Sequence, residues 1–271
     1  MIYAINYANS LFKKKQKINS FSAKYIGKVD KVISYSNSDI DSSFYKLNEK
    51  ILSLPKGNGL WLWKPYIIHK TLLNLNDGDY LIYTDSGTIY YRNVRGLIKQ
   101  MEVAQQELML FDISCIEVNW TKQAIFNYLQ CNHEKYKFSN QRMATILVLK
   151  KTDKVINFIA EWLETASKYE LISNETDDIH SESPFLIENR HDQSILSMIS
   201  KKHNIKAFSD PTDFGYFKTS ILPDNVFLYN DRKDYPFKIN KIYFLVSRQS
   251  NTIRFLLKFF YKKFINRLYL K

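Results

Sequence analysis

GDYLIYTDSG, residues 78 to 87, is the stretch on which the fold turns. The Asp77-Gly78-Asp79 turn leads into the apolar run YLIYT, a buried strand that delivers one carboxylate, Asp85, into a turn of small residues. Upstream lie the strand MIYAINYA, a basic helical segment near residues 10 to 27, the strand KVISYS and a helical stretch over about 39 to 54. GNGLWLWKP follows, then a short helix whose N1 position suits Pro65. Downstream come the apolar run ATILVL (144–149) and a helix over about 152 to 169 carrying Val155, Phe158, Ile159 and Trp162. The acidic, polar stretch 173–182 reads as a surface loop or lid, a helix is opened by His191-Asp192-Gln193, and a short strand near 205–208 comes last. This alternation predicts an α/β fold with a Rossmann-like, mostly parallel sheet and helices on both faces, binding ligands beyond the carboxyl ends of its strands.

Composition narrows the class. Among 271 residues, 45% are hydrophobic and 24% charged, ordinary proportions that exclude wholesale disorder. Seven Gly and six Pro argue against collagenous or turn-dense all-β chains. Two cysteines, Cys115 and Cys131, make neither a disulfide framework nor a tetrahedral zinc site, which fits a reducing compartment. The opening residues lack a basic n-region and a small-residue cleavage site, so secretion is not expected. The longest strictly apolar run, 242–246, falls far short of the roughly 20 residues a membrane span needs. A cytoplasmic protein is expected.

The net charge of +12 is concentrated at one end. Residues 232–271 hold eleven Lys or Arg and one acid, a local balance of +10, which leaves +2 for the rest. The expected organisation is therefore a domain over 1–231 and a basic amphipathic extension over 232–271. In the extension Ile253, Leu256, Leu257, Phe260, Phe264 and Leu268 fall at helical spacing, with Arg254, Lys258 and Lys262 along an adjacent stripe. Such a helix can lie in the headgroup region of an anionic leaflet. Alternatively, Phe255, Phe259 and the stripe pack back on the domain while the cations snorkel to water. Nucleic acid is the least favoured partner, since no recognition-helix, zinc-finger or RRM pattern accompanies the charge.

Several residues have the chemistry of a site. Asp85 at a sheet edge offers the hard oxygen that Mg²⁺ or Mn²⁺ prefers; it can equally cap the following turn. Trp61 and Trp63, at i and i+2, would point the same way in a strand and wall a sugar or base, with Lys64 reaching a phosphate. The competing reading makes both tryptophans core anchors and leaves Lys64 solvated. Asp192 is either a helix N-cap or a carboxylate that accepts a hydroxyl proton, and His191 beside it is weaker. Tyr3, Tyr7 and Asn9 can stack on and hydrogen-bond a nucleobase, or simply pack.

Taken in order, these pieces resemble a family of bacterial glycosyltransferases of the GT-A fold that act in surface-polysaccharide assembly, such as capsule or lipopolysaccharide. The resemblance is carried by Tyr7-Ala8-Asn9, Val32 to Tyr35, GNGLWLWKP (57–65), GDYLIYTDSG (78–87) and RHDQS (190–194), and it covers roughly residues 3–210. It implies transfer of a sugar from a nucleoside diphosphate sugar to a hydroxyl of a glycan or lipid-linked acceptor. Tyr7, Asn9, Trp61, Trp63, Lys64, Asp85 and Ser86 would then lie on the donor side, with Asp85 standing for a DxD motif and holding Mn²⁺ or Mg²⁺. His191 and Gln193 would lie on the acceptor side, with Asp192 as the catalytic carboxylate. The sequence departs from the pattern at Thr84-Asp85-Ser86, which has no second acid. The extension would hold the enzyme peripherally at the inner face of the cytoplasmic membrane. The alternative is a catalytically silent, membrane-peripheral nucleotide-sugar-binding or scaffold protein.

Overall fold

Strand β1 (Ile2–Tyr7) is buried along its whole length because its two faces meet two different cores. In the computed structural model, residues 1–175, 182–217, 237–239, 241–246 and 252–269 are described, the last helix without the side chains of 262 and 264–269. The strands after β1 are β2 (Lys31–Tyr35), β3 (Tyr80–Thr84), β4 (Thr88–Tyr90), β5 (Leu108–Met109), β6 (Phe111–Ile116), β7 (Asn140–Arg142), β8 (Ile146–Lys150), β9 (Phe208–Ser209) and β10 (Phe244–Val246). The main sheet runs β2-β1-β3-β8-β5. β1 is parallel to β2 and β3, while β8 is antiparallel to both β3 and β5, so β8 alone in this sheet runs against the rest. The mostly parallel sheet expected from the sequence is present.

Six longer helices matter for the site: α1 (Lys13–Tyr25), α2 (Trp63–Leu73), α3 (Arg95–Val103), α4 (Asp153–Ala166), α5 (Asp192–Lys202) and α6 (Thr252–Tyr269). Strand side chains alternate between the sheet's faces. Ile5, Tyr7, Leu81, Tyr83, Leu147 and Leu149 therefore meet Ile67 and Ile68 of α2, Ile159 and Trp162 of α4 and Ile195 of α5. Their neighbours Ile2, Ala4, Ile82, Ile146 and Val148 meet Ala23 of α1 and Leu97, Ile98 and Met101 of α3. Both faces are covered, as a parallel sheet requires. Helix α4 is capped by Thr152, whose side chain accepts the Val155 N–H.

Three features differ from the sequence reading. The stretch 39–54 forms two short helical segments, Ser42–Leu47 and Glu49–Leu52, broken at Asn48 (φ −119°, ψ 23°). Helix α2 begins at Trp63, so Pro65 sits in its first turn but two residues after N1; its missing N–H still costs nothing there. A further sheet, β7-β6-β9, stands beside the main one.

Residues late in the chain join the body. β10 pairs antiparallel with β4, and Phe244 is fully buried. Phe255 and Phe259 of α6 pack on Ile89, Ile242 and Leu245, whereas Ile253, Leu257, Phe260 and Tyr261 face outward. The helix thus divides the apolar residues between a packed side and an exposed one. Phe264 and Leu268, most of the boundary near 231–241, and 176–181 of the expected lid lie outside the described side chains and residues. No helix among the described residues is long and apolar enough to cross a membrane.

Candidate functional site

The segment GNGLW (57–61) forms a left-handed turn: φ is +60° at Gly57, +55° at Asn58, +94° at Gly59, +51° at Leu60 and +62° at Trp61. Such angles cost an L-residue about 1–2 kcal/mol each, so Leu60 and Trp61 are held there by their surroundings. The glycines are obligatory. A Cβ on Gly57 would lie 2.4 Å from the Trp61 ring, and one on Gly59 would lie 2.7 Å from the Leu52 Cα. The two tryptophans consequently diverge, because this stretch is a turn and a helix start rather than a strand. Trp61 lines an open cleft of about 340 Å³, within the range of small-ligand sites. Trp63 is buried: its Nε1 donates to the Gly57 carbonyl at 2.9 Å, and its ring stacks on Tyr7 at 3.8 Å. Asn58 Nδ2 donates to the Tyr7 hydroxyl at 2.6 Å, and that hydroxyl donates to Asn37. Tyr7 and Trp63 therefore support the turn from below.

Lys64, next in the chain, is almost fully buried, which overturns the reading of it as a solvated cation. Its Nζ lies 2.9 Å from Asp192 Oδ2 and 3.6 Å from Asp85 Oδ1. Burial alone would lower the ammonium's pKa; the two carboxylates more than reverse this and hold it charged. Asp192 is pushed up to about 6, because burial outweighs the attraction of Lys64. Asp85 does not cap its turn with its carboxylate: the turn is closed by its backbone carbonyl, which accepts the Thr88 N–H. The Asp85 carboxylate instead accepts the Tyr83 hydroxyl at 2.5 Å and faces the cleft. Asn19 of α1 fixes this turn from behind, its Nδ2 donating to Thr84 Oγ1 (2.9 Å) and to the Thr88 carbonyl (2.7 Å).

His191 occupies the N-cap of α5 with φ +52°, and Asp192 is its first residue, so the carboxylate goes to Lys64 instead of capping the helix. The His191 ring is 5.5 Å from the Trp61 ring, and its Nδ1 is 2.7 Å from the Ile172 carbonyl. Burial lowers its pKa, which favours a neutral ring.

The cleft brings together Trp61, Lys64, Asp85, His191, Asp192 and Gln193. Tyr7, Asn9, Trp63 and Ser86 are not in its lining. Lys56, Thr145, Glu188, Asn189 and Arg190 complete it and were not assigned from sequence. Arg190 is the most built of these. Its guanidinium lies over the Trp120 ring at 3.8 Å and donates to Gln141 Oε1 at 3.4 Å. Gln141 also accepts from Gln193 Nε2 at 2.8 Å. Only the RHDQS spacing hinted at Arg190; Lys56 carries no sequence signal and pairs here with Glu188.

The donor set bears on a divalent ion. Among the described residues no group of three or more His, Cys, Asp or Glu gathers. Lys64 stands between the two carboxylates, so they do not form a two-acid centre. The partly exposed Asp85 fits an ion that takes one carboxylate and completes its shell with substrate phosphates and water, as Mg²⁺ commonly does.

No protein-family model matches this chain, and no curated protein matches it. Among solved structures it is similar to mouse xyloside xylosyltransferase 1 in its apo form, with 10% identity over 92% of this chain and 98% of that one, at a TM-score of 0.47. It is also similar to the galactosyltransferase LgtC in complex with donor and acceptor sugar analogues, with 11% identity over 92% and 87% of the two chains, at a TM-score of 0.48. The bifunctional glycosyltransferase WbbM is a further likeness, at 11% identity, 73% and 37% coverage and a TM-score of 0.40.

Proposed function

We propose that the chain is a glycosyltransferase that moves a sugar from a nucleoside diphosphate sugar to a hydroxyl of a glycan or lipid-linked acceptor. The observation that carries this reading is the buried Lys64 ammonium joined to Asp85 and Asp192 in the lining of a cleft. The cleft opens at the carboxyl end of β3, where α/β sheets bind ligands.

In this reaction the anomeric C–O bond breaks, the diphosphate leaves with the electron pair, and the acceptor oxygen bonds to the anomeric carbon. Negative charge grows on the diphosphate, so fixed positive charge facing it lowers the barrier. Lys64 offers a preoriented ammonium donor to the diphosphate, with its charge offset by the two carboxylates that orient it. Arg190 adds a cation on the cleft wall, and Lys56 adds one that is paired with Glu188. Mn²⁺ or Mg²⁺, when bound, would be held by Asp85 and the donor's phosphates and would add Lewis-acid neutralisation there. Trp61 offers an aromatic face for the sugar, with His191 and Gln193 toward the acceptor. An inverting course sends the hydroxyl proton to a carboxylate; of the three in the cleft, Asp192, raised to about 6, is the candidate base. A retaining course instead passes that proton to an oxygen of the departing diphosphate and asks for no carboxylate base.

The acceptor side would place the protein at a membrane, in surface-polysaccharide assembly at the inner face of the cytoplasmic membrane. What supports this is α6, whose Ile253, Leu257 and Phe260 are exposed beside the exposed Arg254 and Lys258.

The test is a thermal-shift screen of nucleoside diphosphates with and without Mn²⁺, followed by product analysis of the matching nucleotide sugars. Stabilisation by one nucleoside diphosphate and its release as the free product supports the proposal. Release of pyrophosphate or inorganic phosphate would point to nucleotidyl transfer or phosphatase chemistry. Binding without turnover would point to a silent scaffold.

A further inference from the structure

Helix α1 is folded inside out. Its buried residues are Gln16, Asn19, Ser22 and Ala23, three of them polar. Every polar one is engaged in a bond to a neighbouring element. Gln16 Nε2 donates to the Tyr35 carbonyl (2.7 Å), Asn19 holds the Asp85 turn, and Ser22 Oγ accepts the Tyr90 N–H (3.0 Å). The opposite side carries the apolar residues. Ile18, Phe21 and Tyr25 recur at helical spacing and are 37%, 62% and 60% exposed; Leu11 and Phe12, just before the helix, are 84% and 47% exposed. An ordinary surface helix turns such a stripe inward.

The same segment is strongly cationic. Residues 10–29 contain Lys13, Lys14, Lys15, Lys17, Lys24 and Lys28 and no acid. Of these, Lys13, Lys14, Lys17, Lys24 and Lys28 are exposed alongside the stripe. Protein interfaces are depleted of lysine, and a nucleic-acid backbone offers phosphates but little apolar surface for a stripe of aromatic and aliphatic side chains. An anionic bilayer satisfies both halves at once, with rings and aliphatic chains at the acyl boundary and ammonium groups among the headgroups. The position in the fold agrees. α1 hydrogen-bonds to β4 through Ser22, and α6 packs on β4 and its flank through Ile89 and Tyr91, so both exposed cationic, apolar helices border one short strand.

We infer that α1 is a lipid-facing helix that docks on an anionic membrane surface through Phe12, Ile18, Phe21 and Tyr25 framed by its lysines. This does not depend on the transfer reaction, nor on α6 binding lipid. Because Asn19 on the reverse side holds the Asp85 turn, the docking helix is also the one that backs the cleft.

The experiment is co-sedimentation of the full chain with phosphatidylcholine vesicles with or without phosphatidylglycerol. Two α1 variants are compared, Phe21→Ser with Tyr25→Ser, and Lys13→Glu with Lys14→Glu and Lys17→Glu, beside an α6 variant, Leu257→Ser with Phe260→Ser. With α6 intact, each α1 variant is expected to lower partitioning onto the anionic vesicles by about tenfold or more. Wild-type partitioning by both α1 variants would overturn the inference, as would a wild-type dimer that Phe21→Ser dissociates, since the stripe would then be covered by a second copy. A direct reporter serves should a variant fold poorly. Phe21→Trp is expected to show fluorescence quenching by brominated acyl chains beyond that of the wild type, and equal quenching would contradict the assignment.

Discussion

Lys64 Nζ stands 2.9 Å from Asp192 Oδ2 in a site where both side chains are almost fully buried. Removing one member of a buried ion pair leaves the other charge uncompensated, at roughly 3–5 kcal/mol. Lys64→Met is therefore expected to lose stability on that scale in urea denaturation, and the double variant with Asp192→Asn to regain most of it. A single Lys64→Met variant within about 1 kcal/mol of wild type would show that the pair is not the structural unit described here.

Asn19 acts on the cleft through Asp85. Its Nδ2 bonds to Thr84 Oγ1 and to the carbonyls of Asp85 (3.3 Å) and Thr88, and its Oδ1 accepts from Asn6 at 2.6 Å. Asn19→Ala leaves several buried acceptors unmet, at about 1–3 kcal/mol. Donor turnover in the folded variant is expected to fall by at least about tenfold, because a displaced Asp85 loses its aim. Turnover equal to wild type would remove Asn19 from any positioning role.

The left-handed turn predicts a contrast between two glycines. Gly59 has φ +94°, and an added Cβ would strike the Leu52 Cα; Gly78 has φ +83° with open space around it. Gly78→Ala carries only the conformational cost, about 1–2 kcal/mol. Gly59→Ala adds a backbone collision and is expected to cost clearly more in thermal or urea unfolding, with loss of donor binding as Trp61 shifts. Equal destabilisation by the two would contradict the turn.

Asp210 supplies a pH signature apart from the cleft. Burial pushes its carboxyl up to about 6, against the Thr212 backbone N–H that it accepts at 2.8 Å. The folded state then holds a proton that the unfolded chain releases near pH 4, so between about pH 4 and 6 stability falls as pH rises. Asp210→Asn keeps the acceptor oxygen and removes the charge. It is expected to be more stable than wild type at about pH 7 by roughly 1–2 kcal/mol and to lose that advantage near about pH 4. An advantage unchanged with pH would refute the assignment.

Much of this fold was legible because its signals are local. β1, β3 and β8 are apolar runs closed by turns, and α4 and α5 carry apolar residues at helical spacing behind Thr152 and His191-Asp192. Asp85, Lys64 and Asp192 were each visible as residues, but their junction joins positions 21 and 107 or more residues apart, and no spacing reports that. The two tryptophans diverge because i and i+2 share a face only in a strand, whereas Leu60 and Trp61 adopt left-handed angles that no residue preference announces. The short β7-β6-β9 pairings also escaped, being two- and three-residue contacts between distant segments. Helix α1 is basic and helical on its sequence alone; its outward apolar stripe follows from where Asn19 and Ser22 are needed, which only the fold reveals.

The proposed role of Asp85 and Lys64 is to help a sugar's diphosphate leave. Its most direct test is release of free nucleoside diphosphate from the nucleotide sugar that stabilises the wild type, compared with Asp85→Ala protein shown to be folded by its melting curve. Turnover is expected from the wild type, with a loss of at least about a hundredfold in the variant. A folded Asp85→Ala protein that releases the diphosphate at the wild-type rate would contradict it.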